Sequence, residues 1–191
     1  SAPVGMPLSR PSPARNAVAP SSDRARESVM KNHGTFTRGR GLGDYVMKFD
    51  GPTEGGVPGE FARALNALSG KPGAHWLDAG GGEGFATSQY GALAAFERVR
   101  TTLVSVKTGA VSSGNRTVLA GRFVEDIPPG EIAASDVITD LYGPLAYSQR
   151  PDKVLDSYLR NLKEDGVIFA YLGAGGDHFG RTNKVATADG R

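Results

Sequence analysis

The sequence predicts an α/β fold, a doubly wound and mostly parallel sheet with helices on both faces. Three observations lead there. Short apolar runs of strand length alternate with stretches that carry an apolar stripe at helical spacing, the order expected of parallel α/β proteins. One such run, Trp76-Leu77-Asp78-Ala79, passes directly into Gly80-Gly81-Gly82-Glu83-Gly84, and glycine at that density suits a strand-to-helix turn whose backbone lies close to a ligand. The chain has 191 residues and 39% hydrophobic content, enough for one domain with a substantial core and short for two.

Residues 1–28 contain Pro3, Pro7, Pro11, Pro13 and Pro20 among Ser, Ala and Arg, with few large apolar side chains. Such a segment buries too little surface to offset its ordering entropy and reads as a disordered arm, made basic by Arg10, Arg15, Arg24 and Arg26. Residues 29–59 are rich in glycine and mixed charge, as in Gly39-Arg40-Gly41-Leu42-Gly43-Asp44-Tyr45, and read as an irregular, lid-like segment. Residues 60–191 form the domain proper. Pro58 and Gly59 lead into Phe61, Ala62, Leu65 and Leu68, a helical stripe that stops at Gly70 and Pro72. Residues 75–79 read as the first strand and 84–97 as the helix after it. Strands follow at 101–106, 116–120 and 136–141. Residues 152–162 read as a helix with Val154, Leu155, Tyr158, Leu159 and Leu162 on one face, and 167–172 as the fifth strand. In such sheets ligands bind outside the carboxyl ends of the strands where strand order reverses, the place the glycine turn occupies.

Composition excludes several classes. A net charge of +2 with the signs intermixed lacks the basic stripe of a dedicated nucleic-acid binder, so nucleic acid is not indicated as a partner. Without cysteine there is no disulfide framework, thiolate metal site or cysteine nucleophile, and the reading assigns no metal. No apolar run approaches the roughly 18 to 20 residues that span a bilayer, and residues 1–28 lack the apolar core of a signal peptide, so a cytoplasmic protein with no membrane partner is expected.

Spacing separates the cofactor classes that use glycine turns. A dinucleotide turn needs G-x-G-x-x-G, but counting from Gly80 the third position holds Phe85, and from Gly82 it holds Thr87. A phosphate-binding P-loop needs Gly-Lys followed by Ser or Thr, whereas Gly70-Lys71 is followed by Pro72. The pattern that remains is Asp78-x-Gly80-x-Gly82-x-Gly84 after Trp76 and Leu77. It resembles the first motif of the class I S-adenosylmethionine-dependent methyltransferases. Over residues 60–172 the resemblance continues in Asp136-Val137-Ile138-Thr139-Asp140-Leu141-Tyr142, which looks like the family's fourth strand, and in residues 154–172, which look like its next helix, glycine turn and fifth strand.

The resemblance implies S-adenosylmethionine as cofactor. Asp78, Ala79, Gly80, Gly81, Gly82 and Gly84 would border it, with Asp78 orienting its polar end, and Asp140 would close the site from the fourth strand. In residues 121–128 either Glu125 or Asp126 would accept from the adenine amino group. Arg38 and Arg40 are placed to close over the cofactor carboxylate. Two departures stand out. The family's second strand usually ends in an acid that takes the ribose hydroxyls, but Val104-Ser105-Val106 runs into Lys107, and an ammonium accepts no hydrogen bond. After the fifth strand only residues 173–191 remain, fewer than the family's closing helix and antiparallel hairpin require, so those antiparallel strands are expected to be missing.

The resemblance further implies methyl transfer to an oxygen or nitrogen of a small molecule, or of a protein. Asp140, Tyr142 and His178 are the candidate catalytic residues, with Tyr147 beside them at the carboxyl edge of the sheet. The Asn/Asp-Pro-Pro-Tyr/Phe signature of adenine-N6 methylation is absent, since Asp140 is followed by Leu141, Tyr142 and Gly143. Lys107 also leaves a second reading, a non-catalytic methyltransferase-like binding or scaffold protein. Oligomeric state is not legible.

Overall fold

In the computed structural model residues 40–172 are described, together with the strand Arg181–Thr187 as backbone. The proposed arm, 1–28, and His178 lie outside the described residues.

Helix α1, Leu42–Asp50, forms inside the segment that the sequence reads as irregular. Tyr45 and Phe49, one turn apart, are both buried, and Gly51 at φ 71° ends the helix. Helix α2, Glu60–Leu68, buries Phe61, Leu65 and Leu68 as its stripe predicts. Its first turn is held by the last residue of α1, because Asp50 accepts the Phe61 and Ala62 N–H groups at 2.8 and 3.0 Å.

Strand β1, His75–Ala79, leads through the glycine turn to helix α3, Phe85–Ala92, and then to β2, Arg100–Ser105, and β3, Arg116–Ala120. Strand β4, Ser135–Leu141, is followed by a short helix α4, Pro144–Tyr147, helix α5, Pro151–Asn161, and strand β5, Leu162–Leu172. Strand β6 is Arg181–Thr187. The sheet order is β3-β2-β1-β4-β5-β6, with β1 to β5 parallel and β6 antiparallel to β5. One antiparallel strand therefore takes the edge that the sequence leaves bare.

Two cores flank the sheet. On one side α1, α2 and α3 pack Tyr45, Phe49, Phe61, Leu65 and Tyr90 on Trp76, Val137 and Phe169. On the other, Leu77, Val104, Ile138 and Ile168 meet Val124, Val154 and Tyr158. Trp76 and Leu77 thus point to opposite faces, and all five residues of β1 are buried, as a central parallel strand requires. The face of α5 differs from the predicted stripe. Val154, Ser157, Tyr158 and Asn161 are buried, while Leu155 and Leu159 are 40% and 43% exposed. The helix lies on the turn after β3, where the Ser157 hydroxyl donates to the Val124 carbonyl at 3.2 Å and Asn161 donates to the Ser157 carbonyl at 2.8 Å.

Candidate functional site

Strand β1 lies between β2 and β4, so the chain leaves it where the strand order reverses. The turn there uses its glycines differently. Gly80, Gly82 and Gly84 have φ of 77°, 60° and 78°, a region that side chains enter only at a cost. A Cβ on Gly80 would come within 2.6 Å of Pro144 and 2.7 Å of the Gly143 Cα, and one on Gly84 within 2.6 Å of Leu103. A Cβ on Gly81 would land on the Asp78 carboxylate. A Cβ on Gly82 would meet nothing within 4 Å. Three of these glycines let the turn pack; the fourth presents bare backbone to open space.

The turn is tied to β2 as well as to β1. Gly80 N–H donates to the Val104 carbonyl at 2.7 Å, and the Ser105 hydroxyl donates to the Gly82 carbonyl at 2.6 Å while accepting the Lys107 N–H at 3.1 Å. Lys107 Nζ lies 3.4 Å from Oε1 of Glu83, the acid within the turn. The segment after β2 thus carries a cation, and the nearby anion belongs to the turn.

Asp78 is completely buried beneath this bend. Tyr45 of α1 donates its hydroxyl to both carboxylate oxygens, at 2.9 and 3.0 Å, and the Thr139 hydroxyl donates at 2.8 Å. Trp76 Nε1 in turn donates to Thr139 Oγ1 at 2.9 Å. Burial pushes the Asp78 pKa up to about 7, although the two hydroxyl donors favour the ionised form. From sequence, Tyr45 and Thr139 are members only of the lid-like segment and the fourth strand, with no role at the site. The period that places Tyr45 on a buried helix face, Leu42, Tyr45, Val46 and Phe49, is nevertheless present in the chain.

The carboxylate of Asp140 faces the turn that follows β4. It accepts Gly143 N–H at 2.7 Å, Leu145 N–H at 2.9 Å and the Tyr158 hydroxyl at 2.5 Å. Burial raises its pKa to about 6, against those three donors. These hydrogen bonds are those of a cap on the turn after β4. The Gly143-Pro144 segment that Asp140 holds packs directly on Gly80.

Tyr142 has φ 52°, the one non-glycine residue in the left-handed region among the described residues. It is half-buried beside Tyr171, with Arg40 over its ring. Burial, then the charges of Asp140 and Glu125, raises the Tyr147 pKa. Glu125 and Asp126 occupy a turn of 3₁₀-helix, Val124–Asp126. Glu125 accepts the Ser148 hydroxyl at 2.9 Å, and Asp126 pairs with Arg150 at 2.7 Å, so both acids tie the turn after β3 to the segment after β4. Arg40 Nη1 donates to the Leu141 carbonyl at 3.4 Å; Arg38 lies outside the described residues.

No family model matches the chain, and no protein of curated function does. Solved structures similar to it include the plantazolicin methyltransferase BpumL in complex with a desmethyl-plantazolicin analogue and S-adenosylhomocysteine, at 13% identity and TM-score 0.49 over 80% of this chain and 55% of that one. The sugar N-methyltransferase KedS8 of a Streptoalloteichus species aligns at 16% identity and TM-score 0.47, covering 92% and 62% of the two chains. A Haloferax volcanii complex of the Trm112 methyltransferase activator with a candidate methyltransferase aligns at 15% and 0.45, covering 79% and 59%. The chain therefore spans between half and two thirds of the length of these structures. No helix among the described residues is long and apolar enough to cross a membrane. In its strand order, its antiparallel edge and the glycine turn at its switch point, the chain has a doubly wound, mostly parallel α/β fold of the Rossmann-like type.

Proposed function

We propose that the chain transfers a methyl group from S-adenosylmethionine to an oxygen or nitrogen of a small molecule. The observation that carries this reading is Gly82, whose backbone at φ 60° faces open space at the switch point of the sheet. A cradle that any Cβ would begin to fill fits a ligand seated against main chain. The backbone of residues 80–82 would hold that ligand, with Glu83 and Lys107 at its ribose side and Glu125 or Asp126 at its base. When bound, the cofactor supplies a sulfonium methyl that leaves in a one-step displacement.

The chain's own residues orient the reactants. Asp140 fixes the Gly143-Pro144 segment, and that segment supports Gly80; Asp78, with both oxygens engaged inside the fold, supports Gly81 from below. Alignment by such a frame is worth on the order of 7–11 kcal/mol of barrier, against roughly 10²–10⁴-fold in rate for a general base. A site of this kind works without a conspicuous base.

Lys107 favours a second reading, a binding or scaffold protein in which the cofactor slot is altered, since the cation cannot accept the ribose hydroxyls. Calorimetry with S-adenosylmethionine and S-adenosylhomocysteine decides between them. The enzyme reading expects micromolar binding of both, abolished by Gly82→Val in a protein that still unfolds cooperatively. No heat at millimolar ligand supports the scaffold reading, and unchanged affinity in Gly82→Val removes the turn from the site.

A further inference from the structure

A polar cavity of about 380 Å³ lies between α3 and the amino ends of β2 and β3. A right-handed crossover that continues in the direction of β1-α3-β2 would set a helix beside α3. Residues 106–115, which join β2 to β3, supply none, and the cavity lies on that side of the sheet. Its volume falls within the roughly 300–1,000 Å³ of small-molecule sites. Gly91 and Gly114 line it, and a Cβ on either would meet nothing within 4 Å.

Arg116 is the one cation in this lining. It is half-buried, and its guanidinium donates to main chain, Nη1 to the Gly84 carbonyl at 3.0 Å and Nη2 to the Val111 carbonyl at 2.9 Å. Among the described residues no carboxylate pairs with it. The Gly84 carbonyl also accepts Ser88 N–H at 3.0 Å and the Thr87 hydroxyl at 3.1 Å, so three donors meet an oxygen that has two lone pairs. The Ser88 bond opens α3 and the Thr87 hydroxyl is buried within the same turn, which leaves the guanidinium as the donor most readily drawn to another acceptor.

A buried hydroxyl is the second observation. Thr101 is 3% exposed and lines the cavity, and its hydroxyl has no hydrogen-bond partner among the described residues. An unpaired buried donor of this kind costs about 1–3 kcal/mol, and an acceptor that enters the cavity removes the cost. The exposed Ser88 and Ser113 stand in the same lining. Glu97 is the one acid there; its carboxylate is exposed and screened by water, while its main-chain carbonyl accepts Asn115 Nδ2 at 2.6 Å.

We propose that this cavity binds the phosphate group of a small phosphorylated molecule, with Arg116 and Thr101 as its principal donors and Ser88 and Ser113 at its rim. A phosphate monoester presents three oxygens at once to a guanidinium fork and to hydroxyls, whereas a carboxylate presents two. The site is separate from the cofactor slot proposed above, since Gly82 is not in its lining and Arg116 reaches the glycine turn only at the Gly84 carbonyl. It stands whether or not the turn seats S-adenosylmethionine.

The test is a phosphorus NMR titration of the full chain with inorganic phosphate and with phenyl phosphate at constant ionic strength. Both are expected to saturate a single site and to compete for it. Thr101→Val keeps the side-chain shape and removes the hydroxyl, so it should weaken phenyl phosphate about three- to tenfold while its thermal midpoint stays at or above the parent's. Arg116→Gln should weaken it by about tenfold or more. Because Arg116→Gln also gives up two main-chain contacts, Thr101→Val decides the matter if that variant does not fold. Titrations that never saturate, or a Thr101→Val protein with the parent's affinity, overturn the proposal. Release of bound phenyl phosphate by S-adenosylhomocysteine would put the phosphate in the glycine turn and overturns it too. Phosphate binding that is sensitive to Thr101→Val in a chain that binds no S-adenosylhomocysteine supports this site and sinks only the methyltransferase reading.

Discussion

Gly81 and Gly82 are adjacent in the chain and have opposite tasks. Gly81 has no room above its Cα, since the Asp78 carboxylate and Leu103 occupy the place a Cβ would take, and Asp78 cannot retreat without losing the Tyr45 and Thr139 hydroxyls. Gly82 has room but an unfavourable φ of 60°. Gly82→Ala should therefore cost about 1 kcal/mol, the ordinary backbone penalty. Gly81→Ala should cost about 1–3 kcal/mol from overpacking, and more if the buried carboxyl loses a hydroxyl partner. Urea unfolding of the two variants measures the difference, and equal destabilisation would contradict this division of roles. The glycine spacing identifies the turn from sequence alone. Which glycine is left facing open space is decided largely by Leu103, Gly143 and Pro144, residues brought in from other elements, and no local pattern carries that information.

Between elements, one carboxylate couples the two helices that cover the aromatic core. Asp50 ends α1 and accepts the first two N–H groups of α2, and Gly59 has no Cβ because Asp50 fills that space. Asp50→Ala should lower stability by about 1–2 kcal/mol, the usual cost of losing a cap, and Asp50→Asn by less, since the amide oxygen can still accept. If Asp50→Ala unfolds at the parent's urea midpoint, the cap is ornamental. The elements legible in the sequence were those whose burial follows from their own residues. The strand at 75–79 and that at 116–120 lie where the apolar runs place them, and α2 buries its own stripe. Helix α1 was hidden because glycines and charges around it outweigh a four-residue apolar pattern, and its stability comes from the ring contacts of Tyr45 and Phe49 with Phe61, Trp76 and Phe169. The rotation of α5 away from Leu155 and Leu159 likewise follows from polar partners at Val124 and Ile127, which lie far away in sequence. Strand β5 begins at Leu162 rather than 167 because it pairs with Ser135 across a bulge.

For the whole molecule, three buried titratable groups set how stability depends on pH. Asp78 and Asp140 keep their protons to about 7 and about 6 in the fold, against an ordinary 3.8, both chiefly because burial disfavours the charge. Above pH 4 the unfolded chain releases both protons while the folded chain holds them, so each carboxyl removes stability as pH rises, until the folded pKa is passed. His75 acts in the other sense. Buried between the Ser135 and Thr102 hydroxyls, it is held neutral down to about 4 from an ordinary 6.5, by burial and then by Arg100 and Lys163. Below pH 6.5 the unfolded chain gains a proton on that ring and the folded chain does not, so His75 removes stability as pH falls. Asp136, Asp165 and Glu131, whose pKa values are lowered, act only near and below their ordinary carboxylate range. Between pH 4 and 6 the histidine cancels one of the two carboxyls, leaving a net slope of about one proton, or roughly 1.4 kcal/mol lost per pH unit. Above pH 6 the slope falls to about half a proton, as Asp140 ionises in the fold and the histidine offsets part of Asp78, and it dies away above pH 7. Asp78→Asn preserves an acceptor for Tyr45 and Thr139 without the titration, so its stability should be nearly flat from pH 4.5 to 6 and should exceed the parent's dependence on pH nowhere below 7. Urea unfolding at half-unit pH steps reads both curves. A parent protein whose stability rises over this range would mean that Asp78 and Asp140 are ionised in the fold and that the hydroxyl donors, rather than burial, govern the carboxylate beneath the turn.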